Sequence, residues 1–165
     1  MTGNIRDVED KRKDESEMNR IFVDADACPV KEEVYKVAVR NNIEVSVVSN
    51  GGIRPHPHPL IKIQVVAEGL DVADDWIADQ AKSKDLVITN DILLAARCIK
   101  KGVNVFKPDG TKLDSSNIGA TVATRNLMYE LRSKNPFLQG NSKTFSNRDR
   151  SNFLIILENE VRKLI

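Results

Sequence analysis

Acidic residues follow several short apolar runs of this sequence, at the points where buried strands would end. In a parallel sheet the carboxyl ends of the strands meet at one edge, and ligands bind in the crevice beyond that edge. Acids that are far apart along the chain are therefore expected to come together there. The acids in such positions are Asp24, Asp26, Glu68, Asp71, Asp74, Asp75, Asp91 and Asp109.

Clustered carboxylates of this kind predict a divalent-metal site. Carboxylates held close together repel, and where water is scarce they take up protons rather than remain ionised. Mg²⁺ or Mn²⁺ removes that cost, because both ions prefer carboxylate oxygens and retained water. Such ions activate a water molecule and stabilise the leaving oxygen in phosphodiester hydrolysis. The predicted ligands are Asp24, Asp74 and Asp91, with Asp26, Asp75 and Asp109 as further candidates.

Helix capping competes with the metal interpretation for some of these acids. Asp is a preferred N-cap residue, and acids in a first helical turn interact favourably with the helix dipole. Capping or a dipole interaction is the favoured interpretation for Asp71 and Asp75. Asp24 lies too far before the next helix to cap it, so a functional role is favoured there. Asp26 and Asp91 fit either interpretation.

The elements that must position these acids alternate between strands and helices. Strands separated by helices predict βαβ crossovers. The expected fold is therefore a three-layer α/β domain, with a mostly parallel central sheet of about five strands and helices on both faces. Strands are predicted over 21–23, 43–49, 61–67, 86–89 and 103–106. Helices are predicted over 30–40, 71–82, 92–101, 116–133 and 147–164, with Gly102 ending the third and Ser146 as the N-cap of the last.

Composition predicts one soluble domain that follows a charged tail. The chain has 165 residues, of which 41% are hydrophobic and 30% are charged, enough for one buried core. Residues 1–19 offer almost nothing to bury and are predicted to be disordered, so the domain covers 20–165. Neither a signal peptide nor a membrane span is evident, so a cytoplasmic location without membrane association is expected. Cys28 and Cys98 stand alone, which favours neither a disulfide nor a zinc site.

A formal net charge of +1 leaves little long-range attraction for nucleic acid, so any such attraction must be local. One group of candidate contacts lies in the proline-rich loop after the second strand, and the other lies in the last two helices. The loop also fits a stiff connector, which is the favoured interpretation, and the arginines of the helices also fit ion pairs or caps. The candidate contacts are Arg54, His56, His58, Arg125, Arg148 and Arg150.

Three motifs of the sequence are distinctive as a set. They are Val23-Asp24-Ala25-Asp26-Ala27-Cys28-Pro29, Asp71-Val72-Ala73-Asp74-Asp75-Trp76-Ile77 and Asp85-Leu86-Val87-Ile88-Thr89-Asn90-Asp91-Ile92-Leu93-Leu94-Ala95. Further matching residues run through Asn117-Ile118, Arg125, Met128 and Leu131-Arg132 to Ser146-Asn147-Arg148-Asp149-Arg150. Together they resemble the YaiI/YqxD family of uncharacterised bacterial proteins, and the resemblance covers about residues 20–165.

That family in turn resembles the PIN nucleases, which implies a PIN-like (Rossmannoid) fold. PIN nucleases use an Asp at the end of the first strand, an acid early in a middle helix, and a T-x-D step after a later strand. The resemblance assigns these roles to Asp24, Asp74 and Asp91. Asp109 would be a fourth acid, although its Pro-Asp-Gly context also fits a plain turn, and Asp26 is additional to the PIN pattern. A shared fold by itself does not establish the activity.

The leading hypothesis is a Mg²⁺- or Mn²⁺-dependent nuclease or phosphodiesterase that acts on RNA or DNA. One alternative is a non-catalytic PIN-like module that binds nucleic acid or protein, which suits the near-neutral charge. The other is a phosphatase like the haloacid dehalogenases. Asp24 would then form an aspartyl-phosphate with Asp26 as general acid/base, and Val47-Val48-Ser49 would supply the second motif.

Overall fold

The computed structural model describes residues 19–135, 137 and 145–164, without the side chain of Ala27. The predicted tail, apart from Asn19, lies outside the described residues. The strands are β1 (Arg20–Asp24), β2 (Glu44–Ser49), β3 (Ile61–Val65), β4 (Leu86–Ile88), β5 (Asn104–Phe106) and β6 (Lys112–Leu113). The helices are α1 (Lys31–Arg40), α2 (Val72–Gln80), α3 (Ile92–Lys100), α4 (Ile118–Lys134) and α5 (Asn147–Leu164), and a short 3-10 turn covers Ala25–Ala27.

The six strands form one sheet in the order β3-β2-β1-β4-β5-β6. The pairs β1–β2, β2–β3, β1–β4 and β4–β5 are parallel, which confirms the predicted, mostly parallel sheet. β6 was not predicted. It has only two residues, Lys112–Leu113, which is too short to show an alternating pattern, and it pairs antiparallel with β5.

Helices cover both faces of the sheet, which gives the expected three-layer, PIN-like architecture. Successive strand residues point to opposite faces. In β1, Ile21 and Val23 join the core under α1 and α5, whereas Phe22 joins the core under α2 and α3. All three are almost completely buried, which explains why the β1 sequence is a continuous apolar run.

Helix α4 forms where it was predicted, but its apolar residues are not buried. Its apolar residues recur at helical spacing, as in a helix that packs one side against a core. No described residue of α4 is buried, and Leu127, Tyr129 and Leu131 are exposed. The helix lies against α3, and Ile118 at its beginning packs against the core. The regular spacing therefore predicted the helix correctly, and it carried no information on whether another element covers its apolar residues.

The sheet order creates one topological switch point. The chain moves from β1 to β2 and β3 on one side, and then crosses to β4 and β5 on the other side. β1 and β4 are therefore neighbours, and a crevice opens beyond their carboxyl ends. Among the described residues, no helix is long and apolar enough to cross a membrane.

A buried carboxylate joins the opposite ends of the same two strands. Asp85, which is 1% exposed, accepts hydrogen bonds from the backbone N–H of Arg20 at 3.0 Å and of Lys82 at 2.9 Å. The Arg20 guanidinium also pairs with Asp85 at 3.2 Å. Asp85 thus fixes the start of β1 beside the start of β4, and with it the alignment of their carboxyl ends.

Candidate functional site

The first acid of the site, Asp24, ends β1 and is joined to the loop after β4. The Thr89 hydroxyl donates a hydrogen bond to Asp24 Oδ2 at 2.9 Å, and the hydroxyl oxygen of Thr89 accepts one from the backbone N–H of Asp91 at 2.9 Å. Burial raises the pKa of Asp24, the Thr89 hydrogen bond lowers it in part, and the charges of Asp26 and Asp91 raise it further. The net shift is upward, so the site holds the ionised form of Asp24 at a cost.

Asp91 is both the N-cap of α3 and a member of the acidic site. Its Oδ1 accepts hydrogen bonds from the backbone N–H groups of Leu93 at 2.9 Å and Leu94 at 3.1 Å. Its side chain also hydrogen-bonds to that of Asp74. The sequence left capping and function open as alternatives for Asp91, and the structure combines the cap with membership of the acid cluster.

Asp74 lies in the first turn of α2, half-buried and facing Asp91. Burial, the Asp91 hydrogen bond and the charges of Asp91, Asp24 and Asp71 raise the pKa of Asp74 to about 7. A hydrogen bond between two carboxyl groups requires a proton on one of them. Asp74 therefore holds its proton up to near-neutral pH.

A loop with unusual backbone angles brings Asp71 to the same place. Asp71 has a φ of 64° and occupies the N-cap position of α2, but its carboxylate makes no capping hydrogen bond, so the expected side-chain cap is absent. Gly69 has a φ of 151°, and a Cβ there would lie 2.9 Å from Val72 Cγ2. The loop therefore needs glycine at this position to approach α2.

Five acids line one cleft of about 440 Å³ at the switch point. Asp26 is exposed at this cleft, close enough to raise the pKa of Asp24. Among the described residues that line it, none is Lys, Arg or His. The negative charge of the cleft is therefore not balanced by any cationic side chain among its described lining residues. The lining residues are Asp24, Asp26, Asp71, Asp74, Asp91, Asn50, Gly69, Leu70, Ala73 and Asn90.

The structure does not bring Asp75, Asp109 or Glu68 to this cleft. Asp75 follows Asp74 on α2 but forms an ion pair with Arg97 at 2.6 Å. It is an acid of the first helical turn, as the dipole interpretation expected. Asp109 lies in the turn between β5 and β6, where its Oδ1 accepts a hydrogen bond from the backbone N–H of Thr111 at 2.9 Å. Glu68 is exposed and does not line the cleft.

The carboxylate oxygens of the cleft are of the type that hard divalent cations prefer. Their present positions, however, do not surround a common point. Within the described ranges, no three His, Cys, Asp or Glu side chains are grouped so as to hold a metal ion. Asp24, Asp74 and Asp91 nevertheless offer carboxylate oxygens, and a cation would relieve the charge repulsion that helps to raise the pKa of Asp74. The residues fit Mg²⁺ or Mn²⁺ in type, provided that side chains turn to bind it.

The helical arginines proposed as nucleic-acid contacts do not line the cleft. Arg150 donates a hydrogen bond to the carbonyl of Pro29 and pairs with Glu33 at 3.6 Å, so it attaches α5 to the beginning of α1. This is the ion-pair alternative of the sequence analysis. Arg125 and Arg148 are exposed, and Arg125 contacts Asn126 on its own helix.

The histidines of the proline-rich segment organise its backbone. His56 Nδ1 accepts a hydrogen bond from the N–H of His58 at 3.1 Å, and His58 Nδ1 accepts one from the N–H of Leu60 at 3.2 Å. These contacts agree with the favoured interpretation of a stiff connector. Arg54 and His56 also line a second cavity, which is separate from the acid cleft.

Several residues of the cleft carried no role in the sequence analysis. Thr89 was quoted only as part of the T-x-D step, although a hydroxyl directly after an apolar strand could have suggested a partner for the neighbouring strand end. Leu70 and Asn50 gave no signal, because both lie in loops whose path depends on the fold.

Ser49 would supply the second motif of the phosphatase alternative. Its hydroxyl forms hydrogen bonds with the backbone of Gly51 at 3.0 and 3.1 Å.

Comparison with known proteins identifies the family of this chain. A family model described as an uncharacterised YaiI/YqxD family matches residues 22–163. The chain belongs to the YaiI/YqxD family. It is 53% identical over 146 residues to a UPF0178 protein of Cereibacter sphaeroides strain ATCC 17029, which covers 88% of this chain and 90% of the relative.

Other relatives are similar over the same extent. A UPF0178 protein of Roseobacter denitrificans is 49% identical over 146 residues, covering 88% of this chain and 97% of the relative. A UPF0178 protein of Rhodopseudomonas palustris strain TIE-1 is 49% identical over 147 residues, covering 89% of this chain and 92% of the relative. No solved structure matches the chain. The YaiI/YqxD assignment confirms the resemblance found in the sequence and leaves the activity to be inferred from the site.

Proposed function

We propose that this YaiI/YqxD-family protein is a Mg²⁺- or Mn²⁺-dependent nuclease that hydrolyses phosphodiester bonds of RNA or DNA. The observation that carries the proposal is the convergence of Asp24, Asp74 and Asp91 at the switch point of the sheet. Perturbed carboxyl groups in a cleft are typical of catalytic and metal-binding sites. Structural ion pairs do not explain these three acids, since no Lys or Arg of the described residues lines the cleft.

Asp24, Asp74 and Asp91 would hold the metal. When bound, the metal would supply an activated water and charge stabilisation at the phosphoryl oxygens. Thr89 keeps one Asp24 oxygen in place through its 2.9 Å hydrogen bond. The backbone N–H groups of Leu93 and Leu94 fix Asp91 Oδ1 at the start of α3 and so hold the carboxylate at the cleft.

Asp26 is the residue best placed to handle a proton. It is exposed at the cleft and lies close enough to Asp24 for their charges to interact. It would accept the proton of the attacking water as general base. The described lining residues include no cation, which also supports metal dependence, because a phosphodiester there would be repelled by the carboxylates without one.

The test compares cleavage of short labelled single-stranded RNA and DNA by the full chain with Mn²⁺, with Mg²⁺ and with EDTA. We expect metal-dependent cleavage that falls about a hundredfold or more in Asp24→Asn and Asp74→Asn. Asp75→Asn is the matched control, since Asp75 follows Asp74 on α2 but pairs with Arg97 outside the cleft. It should retain activity within about twofold.

Three results would contradict the proposal. The first is intact substrate with both metals, which would favour the binding module. The second is equal cleavage by wild type and Asp24→Asn, which would indicate a contaminating nuclease. The third is turnover of a generic phosphomonoester with capture of beryllofluoride on Asp24, which would favour the phosphatase.

A further inference from the structure

A second cavity, of about 320 Å³, lies between the start of α1 and the proline-rich segment after β2. Its size is at the low end for a small-ligand pocket, which suits a part of a nucleotide rather than a duplex. It is lined by Lys31, Glu32, Tyr35, Gly52, Ile53, Arg54, Pro55 and His56.

This cavity differs from the acid cleft in charge. Lys31 and Arg54 are cationic, and Glu32 is the one acid of its lining. Tyr35 is 7% exposed and adds no charge near neutral pH, since burial and then the Glu32 charge raise its pKa to about 12. The cavity therefore has a positive side-chain balance beside a cleft lined only by acids among its charged residues.

The cationic and neutral donors of the cavity have hydrogen-bonding capacity left for an anion. The Lys31 ammonium gives one hydrogen bond to the carbonyl of Ala25 at 3.3 Å, and an ammonium has three donors. His56 accepts at Nδ1, so in its neutral form the hydrogen is on Nε2, which makes that atom a donor. Among the described residues the Arg54 guanidinium has neither a hydrogen bond nor an ion pair.

The two cavities are neighbours at the same edge of the sheet. The loop that leaves β2 places Asn50 in the acid cleft and Gly52 in the second cavity. Lys31 of the second cavity hydrogen-bonds to Ala25, which lies between Asp24 and Asp26 of the cleft. A chain that lies in one cavity can therefore continue into the other.

We propose that the cavity formed by Lys31, Arg54 and His56 binds a phosphate group of a single-stranded nucleic acid whose neighbouring phosphodiester lies in the acid cleft. The proposal rests on the proposed nuclease function and names the part of the protein that holds the substrate. Phosphate contacts position a nucleic acid without reading its sequence. The cavity would therefore set the register of the strand relative to Asp24 rather than select bases.

The test measures binding of a short fluorescein-labelled single-stranded oligonucleotide to the full chain by anisotropy, with Ca²⁺ present to offset the acids. Arg54→Gln is compared with Arg40→Gln, which removes the same charge from the other end of α1. We expect Arg54→Gln to weaken binding about three- to tenfold and to reduce the slope of log K against log salt by about 1. Arg40→Gln should leave both unchanged.

The proposal is overturned if wild type does not bind, or if the two variants bind alike. Failure of the nuclease function would look different, with Arg54-dependent binding intact and no cleavage with Mn²⁺. Where cleavage occurs, Arg54→Gln should raise KM and leave kcat nearly unchanged, since the cavity lies beside the reacting phosphate. A fall in kcat with unchanged KM would also overturn the proposal.

Discussion

The Thr89 hydroxyl connects the ends of two neighbouring strands, donating to Asp24 Oδ2 at 2.9 Å and accepting from the N–H of Asp91 at 2.9 Å. Thr89 is 1% exposed, so neither contact is replaced by bulk water. One hydroxyl thus fixes the relative position of two acids that are distant in the sequence.

Replacing Thr89 with Val should destabilise the protein and weaken the acid site. The buried N–H of Asp91 loses its acceptor and Asp24 loses its donor, so the free energy of unfolding should fall by about 1–3 kcal/mol. Because the Thr89 hydrogen bond lowers the pKa of Asp24, its loss should raise that pKa further. Urea denaturation and carboxyl titration by NMR would measure the two effects.

Thr89→Ser is the control, since it keeps the hydroxyl and removes only a methyl group. It should retain most of the stability and the Asp24 pKa of wild type. If Ser and Val variants behave alike, the hydroxyl has no role in fixing the site.

Asp74→Asn should stabilise the metal-free protein at neutral and higher pH. The folded protein keeps the Asp74 proton up to a pH of about 7, whereas the unfolded chain releases it near the ordinary value of 3.8. Wild-type stability therefore falls as the pH rises between these two values, and Asn, which has no charge, avoids the loss. Since Asp74 is half-exposed, solvent screening limits the gain to about 1 kcal/mol.

Thermal denaturation in EDTA, at several pH values, would measure this difference. The two proteins should be equally stable at acidic pH, where Asp74 is protonated in both states, and should diverge as the pH rises. A difference that grows instead towards low pH would contradict the assignment of the raised pKa to Asp74.

Mn²⁺ should reverse that order of stability. A ligand that binds only the folded protein stabilises it by an amount that grows with its concentration. The melting temperatures of wild type and Asp75→Asn should therefore rise as Mn²⁺ is added, and the melting temperature of Asp74→Asn should rise much less. Equal gains in all three proteins would place the metal outside the acid cleft.

Asp85→Ala should strongly lower the free energy of unfolding, although Asp85 does not line the acid cleft. It leaves the backbone N–H groups of Arg20 and Lys82 without their acceptor and the Arg20 guanidinium without its partner. We expect a loss of about 2–4 kcal/mol in urea denaturation. Asp85→Asn keeps one acceptor oxygen and should lose less, so equal losses would show that only the charge matters.

Neither cysteine should react with a thiol reagent in the folded protein. Cys28 is 5% exposed and Cys98 is 0% exposed, and burial raises the pKa of each thiol to about 11. The thiolate is therefore scarce at neutral pH. Titration with a chromogenic disulfide reagent should give no reaction in buffer and two thiols after denaturation, and rapid reaction of the native protein would contradict the buried placement.

The sequence predicted most of the fold because its signals were local. Ile21 to Val23 form a continuous apolar run that is buried on both sides. Gly102 has a φ of 79° just after Lys101, the C-cap of α3. Ser146 forms a capping box with Asp149. The burial of α4 could not be predicted, because periodicity shows that residues share a face and not whether another element covers it.

The site was predicted from strand ends, and its finer contacts depended on the fold. Asp74 and Asp75 are adjacent and chemically identical, and only the rotation of α2 decides that one meets Asp91 and the other meets Arg97. Thr89 can donate to Asp24 and accept from Asp91 only because β1 and β4 are neighbours in the sheet. Local sequence patterns do not predict which strands are neighbours.

The double role of Asp91 affects how random variants of this protein would be classified. Substitutions at Asp24 or Asp74 should give abundant protein that fails in the assay, the usual signature of a functional position. A substitution at Asp91 also removes the acceptor for the first N–H groups of α3, at a cost of about 1 kcal/mol. In a screen that scores cellular abundance, Asp91 would therefore be grouped with positions that matter for folding, and its part in the cleft would be overlooked.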